Sequence, residues 1–205
     1  MHPEAITSGQ KRIFKKLKNF PGYYLAGGTA LALQIGHRVS VDFDFFSKEE
    51  IPISLLFKLE KIFKDFKREI IINNPEQLTV KLSGINLTFV KYPFPLIFRL
   101  KEYLGVKMLC VEEIAATKAY VLGRRATMKD YVDLYFILKK EYIGLEKLIK
   151  ICQKKYGENF EPRLFLEQLI FMKDVKKMAI RFLGKRVGEK EILAFFEKDI
   201  KKIKL

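Results

Sequence analysis

The sequence predicts an α+β protein, a mixed sheet with helices over the first half followed by a helical C-terminal lobe. Three observations predict it. Residues 41–46, VDFDFF, alternate apolar and acidic side chains with the two-residue period of a strand. Ser83 and Gly84 separate two apolar runs, 78–82 and 85–90, as a two-residue hairpin turn does. From Val111 onward the apolar residues recur with helical spacing.

The elements follow in order. Ser8 is placed to cap a short helix over 9–19, which Pro21 and Gly22 end. Residues 23–26 form a short apolar strand, Gly27 and Gly28 a turn, and 29–35 one or two helical turns that Gly36 breaks. In the strand at 41–46, Val41, Phe43 and Phe45 point one way and Asp42 and Asp44 the other. Residues 53–66 read as an amphipathic helix with Leu55, Leu56, Leu59, Ile62, Phe63 and Phe66 on its apolar side. A strand at 68–73 precedes the hairpin. Pro93 and Pro95 then lead the chain out of the sheet. Helices are expected at 111–122, 128–140, 145–156, 162–170 and 190–200. The division into lobes is expected near 93–110, giving a first lobe of residues 1–100 and a helical lobe of 101–205 that completes the site. Each is small for folding alone.

Composition limits the function. The hydrophobic fraction of 49% and the 18 phenylalanines supply a core and exclude a disordered chain. A net charge of +15, from 39 Lys and Arg against 24 acids, suits a polyanionic partner such as RNA. It equally suits a lysine-rich surface kept for solubility. Cys110 and Cys152 lack metal-ligand spacing and read as small buried apolar residues in a reducing compartment. No apolar run has the length of a membrane span and the N-terminal residues carry no signal-peptide pattern, so a cytoplasmic location is expected.

Asp42 and Asp44 are the most informative residues. Positions i and i+2 of a strand face one side about 6.6 Å apart. Two carboxylates so close repel unless a cation lies between them. Mg²⁺, or Mn²⁺, is commonly held by one or two carboxylates together with substrate phosphates. An amphipathic strand with a solvated acidic face is the plainer reading, but the apolar flanks Val41, Phe43, Phe45 and Phe46 weaken it. A short way upstream, Gly27, Gly28 and Thr29 join a strand to a helix. Glycines admit close approach of a phosphate to the backbone, and a helix start presents unpaired N–H groups to it. Between these elements, Arg38 either steadies a phosphate or pairs with an aspartate. Ser40 either contacts a phosphate or caps the turn. His37 reads as an ordinary loop histidine.

Taken together, LAGGTALALQIGHRVSVDFDFF (25–46) resembles the first motif of the AbiEii/AbiGii family of toxin nucleotidyltransferases, within the polymerase-beta superfamily. EEIAATKAYVLGRRATMKDYVDLYFIL (112–138) is similar to the family's downstream segment, and the resemblance spans roughly residues 20–140. It implies a polymerase-beta-like nucleotidyltransferase fold and a nucleoside triphosphate substrate. It also implies an RNA acceptor, tRNA in particular, and a cognate antitoxin. By the same resemblance Asp42 and Asp44 are metal ligands. Gly27, Gly28, Thr29, Arg38 and Ser40 surround the nucleotide phosphates, Lys118 is the motif lysine, and Asp130 or Asp133 is the last motif acid. The pattern departs from the superfamily at one point. A third carboxylate is usual on a neighbouring strand, and the candidate strand at 85–90 offers Asn86 and Thr88.

The residues around Lys118 support a role on their own terms. In AATKAY it lies among small and apolar neighbours, and a buried lysine needs an anion, which either a triphosphate or a helix-to-helix ion pair supplies. Arg124, Arg125 and Lys129 form a basic cluster that is either an RNA contact or a solvated face. Tyr120, Tyr131 and Tyr135 have helical spacing and read as core before stacking platforms. Two other readings stay open beside RNA modification: transfer to a protein hydroxyl, and a non-catalytic nucleotide- or RNA-binding protein.

Overall fold

The computed structural model describes residues 1–125, 127–176 and 178–203, at positions 123 and 125 the backbone alone. The chain divides into two compact units. One comprises Met1–Phe94 with Arg99–Leu109, the other Pro95–Phe98 with Cys110–Leu205.

The first unit is built on a seven-stranded mixed sheet. Its strands are β1 (Tyr24–Ala26), β2 (Phe43–Ser47), β3 (Arg68–Asn74), β4 (Gln77–Leu82), β5 (Ile85–Lys91), β6 (Lys101–Tyr103) and β7 (Val106–Met108). Their order is β3-β4-β5-β2-β1-β7-β6, so β2 occupies the centre. It runs antiparallel to β1 and parallel to β5. Phe43 and Phe45 project from one face of β2 into an aromatic core. Phe14 of α1 (Ser8–Leu17) lies 6.2 Å from Phe43, and Phe89 of β5 lies 5.4 Å from Phe45. Phe20 joins Phe89 to Phe63, which follows α3 (Ser54–Ile62). Asp44, on the opposite pleat, therefore faces away from this core.

Several elements differ from the sequence reading. The cap of α1 is Thr7. Its hydroxyl accepts the Gln10 N–H at 3.3 Å while the Gln10 side chain takes the Thr7 N–H at 2.9 Å. That reciprocal pair satisfies two helix-start donors, which Ser8 cannot do from inside the helix. Gly27 and Gly28 form no separate turn: β1 passes straight into α2 (Gly27–Ile35). Val41 does not point inward with Phe43. It lies before β2 and is 46% exposed. The helix α3 ends at Ile62, four residues short of the apolar pattern, because Phe63 and Phe66 cover the core from the following turn. The hairpin β6–β7 falls within the stretch read as the break between lobes. Leu104 and Gly105 make its tight turn with φ of 52° and 77°.

The second unit contains α4 (Val111–Arg125), α5 (Met128–Lys139), α6 (Leu145–Tyr156), α7 (Pro162–Ile170) and α8 (Glu189–Ile200). The helix α4 packs on α5, α6 and α7, and α8 packs on α5 and α7. Cys110 and Cys152 are both buried and unlinked. Burial pushes the Cys110 thiol up to about 11 and the Cys152 thiol higher still, so both stay protonated at neutral pH. No helix among the described residues is long and apolar enough to cross a membrane.

Candidate nucleotidyltransferase site

The first unit draws the residues of 25–46 into one place. Ala26 pairs with Asp44 across the β1–β2 ladder, which brings the start of α2 against the Asp44 carboxylate. Gly27 has φ of 63°, and a Cβ there would stand 2.7 Å from Asp44 Oδ2. Two constraints thus converge on glycine: a left-handed backbone and a carboxylate in the space of a side chain. A Cβ on Gly28 would stand 2.5 Å from Arg38 Nη2 and 3.3 Å from Ser40 Oγ. The opening turn of α2 therefore has a carboxylate on one side and a guanidinium and a hydroxyl on the other.

The loop 36–42 is tied down around that turn. The Thr29 hydroxyl contacts Ser40 Oγ at 2.8 Å and also the main-chain carbonyl of Asp42. The Ser40 N–H donates to the Ala5 carbonyl at 3.0 Å. Arg38 is 2% exposed and donates to the Val39 carbonyl at 3.2 Å. His37, read from sequence as an ordinary loop residue, is also buried. Asp42 sits one residue ahead of β2, and its Oδ1 accepts the Asn86 N–H at 3.3 Å where β5 begins. Asp42 and Asp44 are both half-buried.

No group of three or more His, Cys, Asp or Glu suited to a metal occurs among the described residues. The donor set fits a cation that completes its shell with substrate oxygens: two half-exposed carboxylates beside a helix start receptive to phosphate. Thr88 is the cross-strand partner of Asp44. Its hydroxyl accepts from Thr79 at 3.2 Å, and Thr79 accepts from the Gln77 amide at 2.9 Å. The strand position beside Asp44 thus carries a hydroxyl at the end of a polar chain.

In the second unit, Lys118 Nζ lies 2.6 Å from Asp130 Oδ1 and 2.8 Å from Asp133 Oδ2. The lysine bridges both aspartates. The side chains of Lys118 and Asp130 are 11% exposed and that of Asp133 is fully buried. Asp130 is also the third residue of α5, and its Oδ2 accepts the Thr127 N–H and hydroxyl at 3.0 and 2.7 Å. Thr127 escaped the sequence reading, although Thr-x-x-Asp before an apolar run is a capping-box spacing.

The tyrosines divide. Tyr131 and Tyr135 are core, and burial raises both phenols to about 12. Tyr120 is half-buried, stacked on Tyr156 at 4.1 Å, with the Arg124 guanidinium 3.6 Å from its ring centre. The Arg125 side chain lies outside the described residues.

A model of the nucleotidyl transferase AbiEii toxin family, of type IV toxin–antitoxin systems, matches residues 12–199. This chain belongs to the AbiEii family. It is accordingly a nucleotidyltransferase, built as a seven-stranded mixed sheet and a set of helices. An uncharacterized Aquifex aeolicus protein, aq_aa25, is 32% identical over 157 residues, 76% of each chain. Two solved structures share the AbiEii chain's fold. A Helicobacter pylori protein provisionally described as a nucleotidyltransferase has a TM-score of 0.62 at 19% identity, over 98% of this chain and 97% of that one. The nucleotidyltransferase toxin MenT4 of Mycobacterium tuberculosis has a TM-score of 0.62 at 15% identity, over 93% of this chain and 80% of that one.

Proposed function

We propose that this AbiEii-family enzyme transfers a nucleotide from a nucleoside triphosphate to an RNA acceptor, tRNA in particular, in a reaction dependent on Mg²⁺ or Mn²⁺. The observation that carries this reading is the crowding of Asp44, Arg38 and Ser40 around the two glycines that open α2. Free N–H groups and a guanidinium there suit a polyphosphate, and the carboxylates on its flank suit the cation such a chain carries.

In this reading Asp42 and Asp44 are the metal ligands. They would hold a divalent cation, which would supply charge neutralisation on the phosphates and the departing pyrophosphate. Gly27, Gly28, Thr29, Arg38 and Ser40 cradle the phosphate chain. By the family resemblance, Lys118 is the motif lysine. An acceptor hydroxyl forms a bond to the α-phosphorus, the bond from that phosphorus to the bridging oxygen breaks, and pyrophosphate leaves. The acceptor proton passes to a carboxylate or to water. Positioning and electrostatics supply most of the acceleration in phosphoryl-type transfers, which suits so small a set of groups. Thr88 cannot take up a proton at neutral pH. By the resemblance, Asp130 or Asp133 is the motif acid that takes that role. Action as a toxin restrained by a cognate antitoxin suits a family of type IV toxin–antitoxin systems, and the cytoplasm is the location this reading assigns to it.

The test is incubation with Mg²⁺, each α-labelled nucleoside triphosphate and total tRNA, beside an Asp42→Ala/Asp44→Ala double variant. Label on tRNA with the unsubstituted chain alone is the expected result. Label on protein instead moves the acceptor to a protein hydroxyl. Nucleotide binding without pyrophosphate release overturns transfer.

A further inference from the structure

We infer that the connection between α7 and α8, residues 171–188, is the strap that grips the acceptor RNA, with an adjoining cavity that takes one unpaired base. The inference rests on the RNA-modifying reading above and names the surface that serves it.

Charge marks the segment first. It carries six Lys and Arg (Lys173, Lys176, Lys177, Arg181, Lys185, Arg186) against one acid, Asp174. Five of the chain's fifteen surplus positive charges thus fall in 18 of its 205 residues. A surface kept basic for solubility mixes both signs and spreads them. Lys173, Lys176, Arg181, Lys185 and Arg186 are all exposed. The apolar residues Phe171 and Met178 are also exposed, at 48% and 39%. Cations interleaved with an exposed aromatic are what a single strand needs, for phosphates pair with the cations and a base stacks on the ring.

Anchoring marks it next. Lys176 forms a β-bridge with Thr127, and its carbonyl accepts the Met128 N–H at 3.2 Å. Thr127 is the residue that holds Asp130, which in turn holds Lys118. The strap is therefore bonded to the start of α5, which carries Asp130 and Asp133, the partners of Lys118 on α4. The Tyr131 hydroxyl, on the same helix, lies 2.7 Å from the Gln168 carbonyl and 3.2 Å from that of Phe171, fixing where the strap leaves α7.

The cavity marks it third. A hollow of about 260 Å³ lies where the strap meets α4 and α5, lined by Arg124, Tyr131, Gln168, Phe171 and Asp174 among others. It is smaller than pockets for drug-sized ligands, which run to roughly 300–1,000 Å³, and suits a single planar ring system. Its wall combines an aromatic face, a guanidinium, an amide and a carboxylate, which matches a base edge with both donors and acceptors.

The experiment measures binding of fluorescent total tRNA by anisotropy across a range of KCl, without catalysis. A Lys173→Gln/Arg181→Gln/Lys185→Gln/Arg186→Gln variant is compared with the unsubstituted chain and with a control, Lys147→Gln/Lys154→Gln, on the exposed face of α6. Circular dichroism and a thermal melt verify folding of each. The strap variant is expected to bind at least about tenfold more weakly and to flatten the salt dependence, each lost phosphate contact lowering the slope by roughly 0.7–0.9. Phe171→Ala is expected to weaken binding about fivefold or more, the loss of one stacked base. Unchanged affinity and slope in the strap variant overturn the inference, as does an equal loss in the α6 control, or retained tRNA binding with lost labelling of a protein acceptor. Failure of label transfer by the unsubstituted chain, with strap-dependent tRNA binding intact, refutes the transfer reading and leaves the strap standing.

Discussion

The helical unit buries two lysines against carboxylates, and they are built to opposite ends. Lys155 of α6 is fully buried beside Glu113 of α4, which is 1% exposed. It also donates to the Pro95 carbonyl at 2.6 Å, while Glu113 Oε2 accepts the N–H groups of Ile97 and Phe98, each at 3.0 Å. One positive charge meets one negative charge, and their hydrogen bonds tie residues 95–98 to two helices. Lys118 stands between two carboxylates and keeps some exposure. The Lys155–Glu113 pair is enclosed, and it holds a chain segment in place. The Lys118 cluster reaches the edge of solvent, where the proposed reading has it meet a ligand. Both lysines are ion-paired, so pairing alone does not separate the two; access to solvent does.

The sharpest break of this comparison is Lys118→Met. Transfer per folded molecule is expected to fall by about 10²–10³, the effect of removing one charge-stabilising group, read as kcat in the tRNA labelling assay. Lys155→Met is expected to leave that rate unchanged and to cost about 3–5 kcal/mol of stability, since it strands Glu113 as a buried charge. Denaturant unfolding measures it, and a rate loss matching that of Lys118→Met would collapse the distinction. A Lys155→Met/Glu113→Gln double variant is expected to recover most of the stability. The amide oxygen still accepts the Ile97 and Phe98 N–H groups, and Met fills the lysine's space. Additive losses in the double-mutant cycle would show that the two side chains do not act as a pair. The smallest effects come from the two capping threonines. Thr7→Ala and Thr127→Ala are each expected to cost about 1 kcal/mol. Only Thr127→Ala should also lower kcat, because it frees Asp130 to move.

Much of this was legible in the sequence, for identifiable reasons. The strand β2 declared itself because Phe43 and Phe45 alternate with Asp42 and Asp44, and the glycines at 27 and 28 marked a close approach that the fold fills with Asp44 and Arg38. The hairpin β6–β7 was hidden because its three-residue strands carry Lys101, Glu102 and Lys107, and because Leu104 occupies a conformation sequence patterns assign to glycine. Lys155 was hidden because one of two adjacent lysines on an amphipathic helix reads as surface. Only the packing of α6 on α4 decides which of the pair turns inward. Thr7 and Thr127 carry a legible signal, since each stands three residues before a side chain able to return a hydrogen bond.

The contact between Gly27 and Asp44 bears on how this enzyme can be lost. A carboxylate occupies the volume where a residue at 27 would grow, so the two positions are not independent in heredity. An alanine codon at 27 pushes against Asp44, the proposed metal ligand, and demands a left-handed backbone as well, while at Gly28 a side chain meets the Arg38 guanidinium. In cells selected to survive the toxin, inactivating alleles should therefore fall on these glycine codons as well as on those for charged residues. The genetic target is wider than the chemistry, and its extra breadth lies in residues that have no side chain to react.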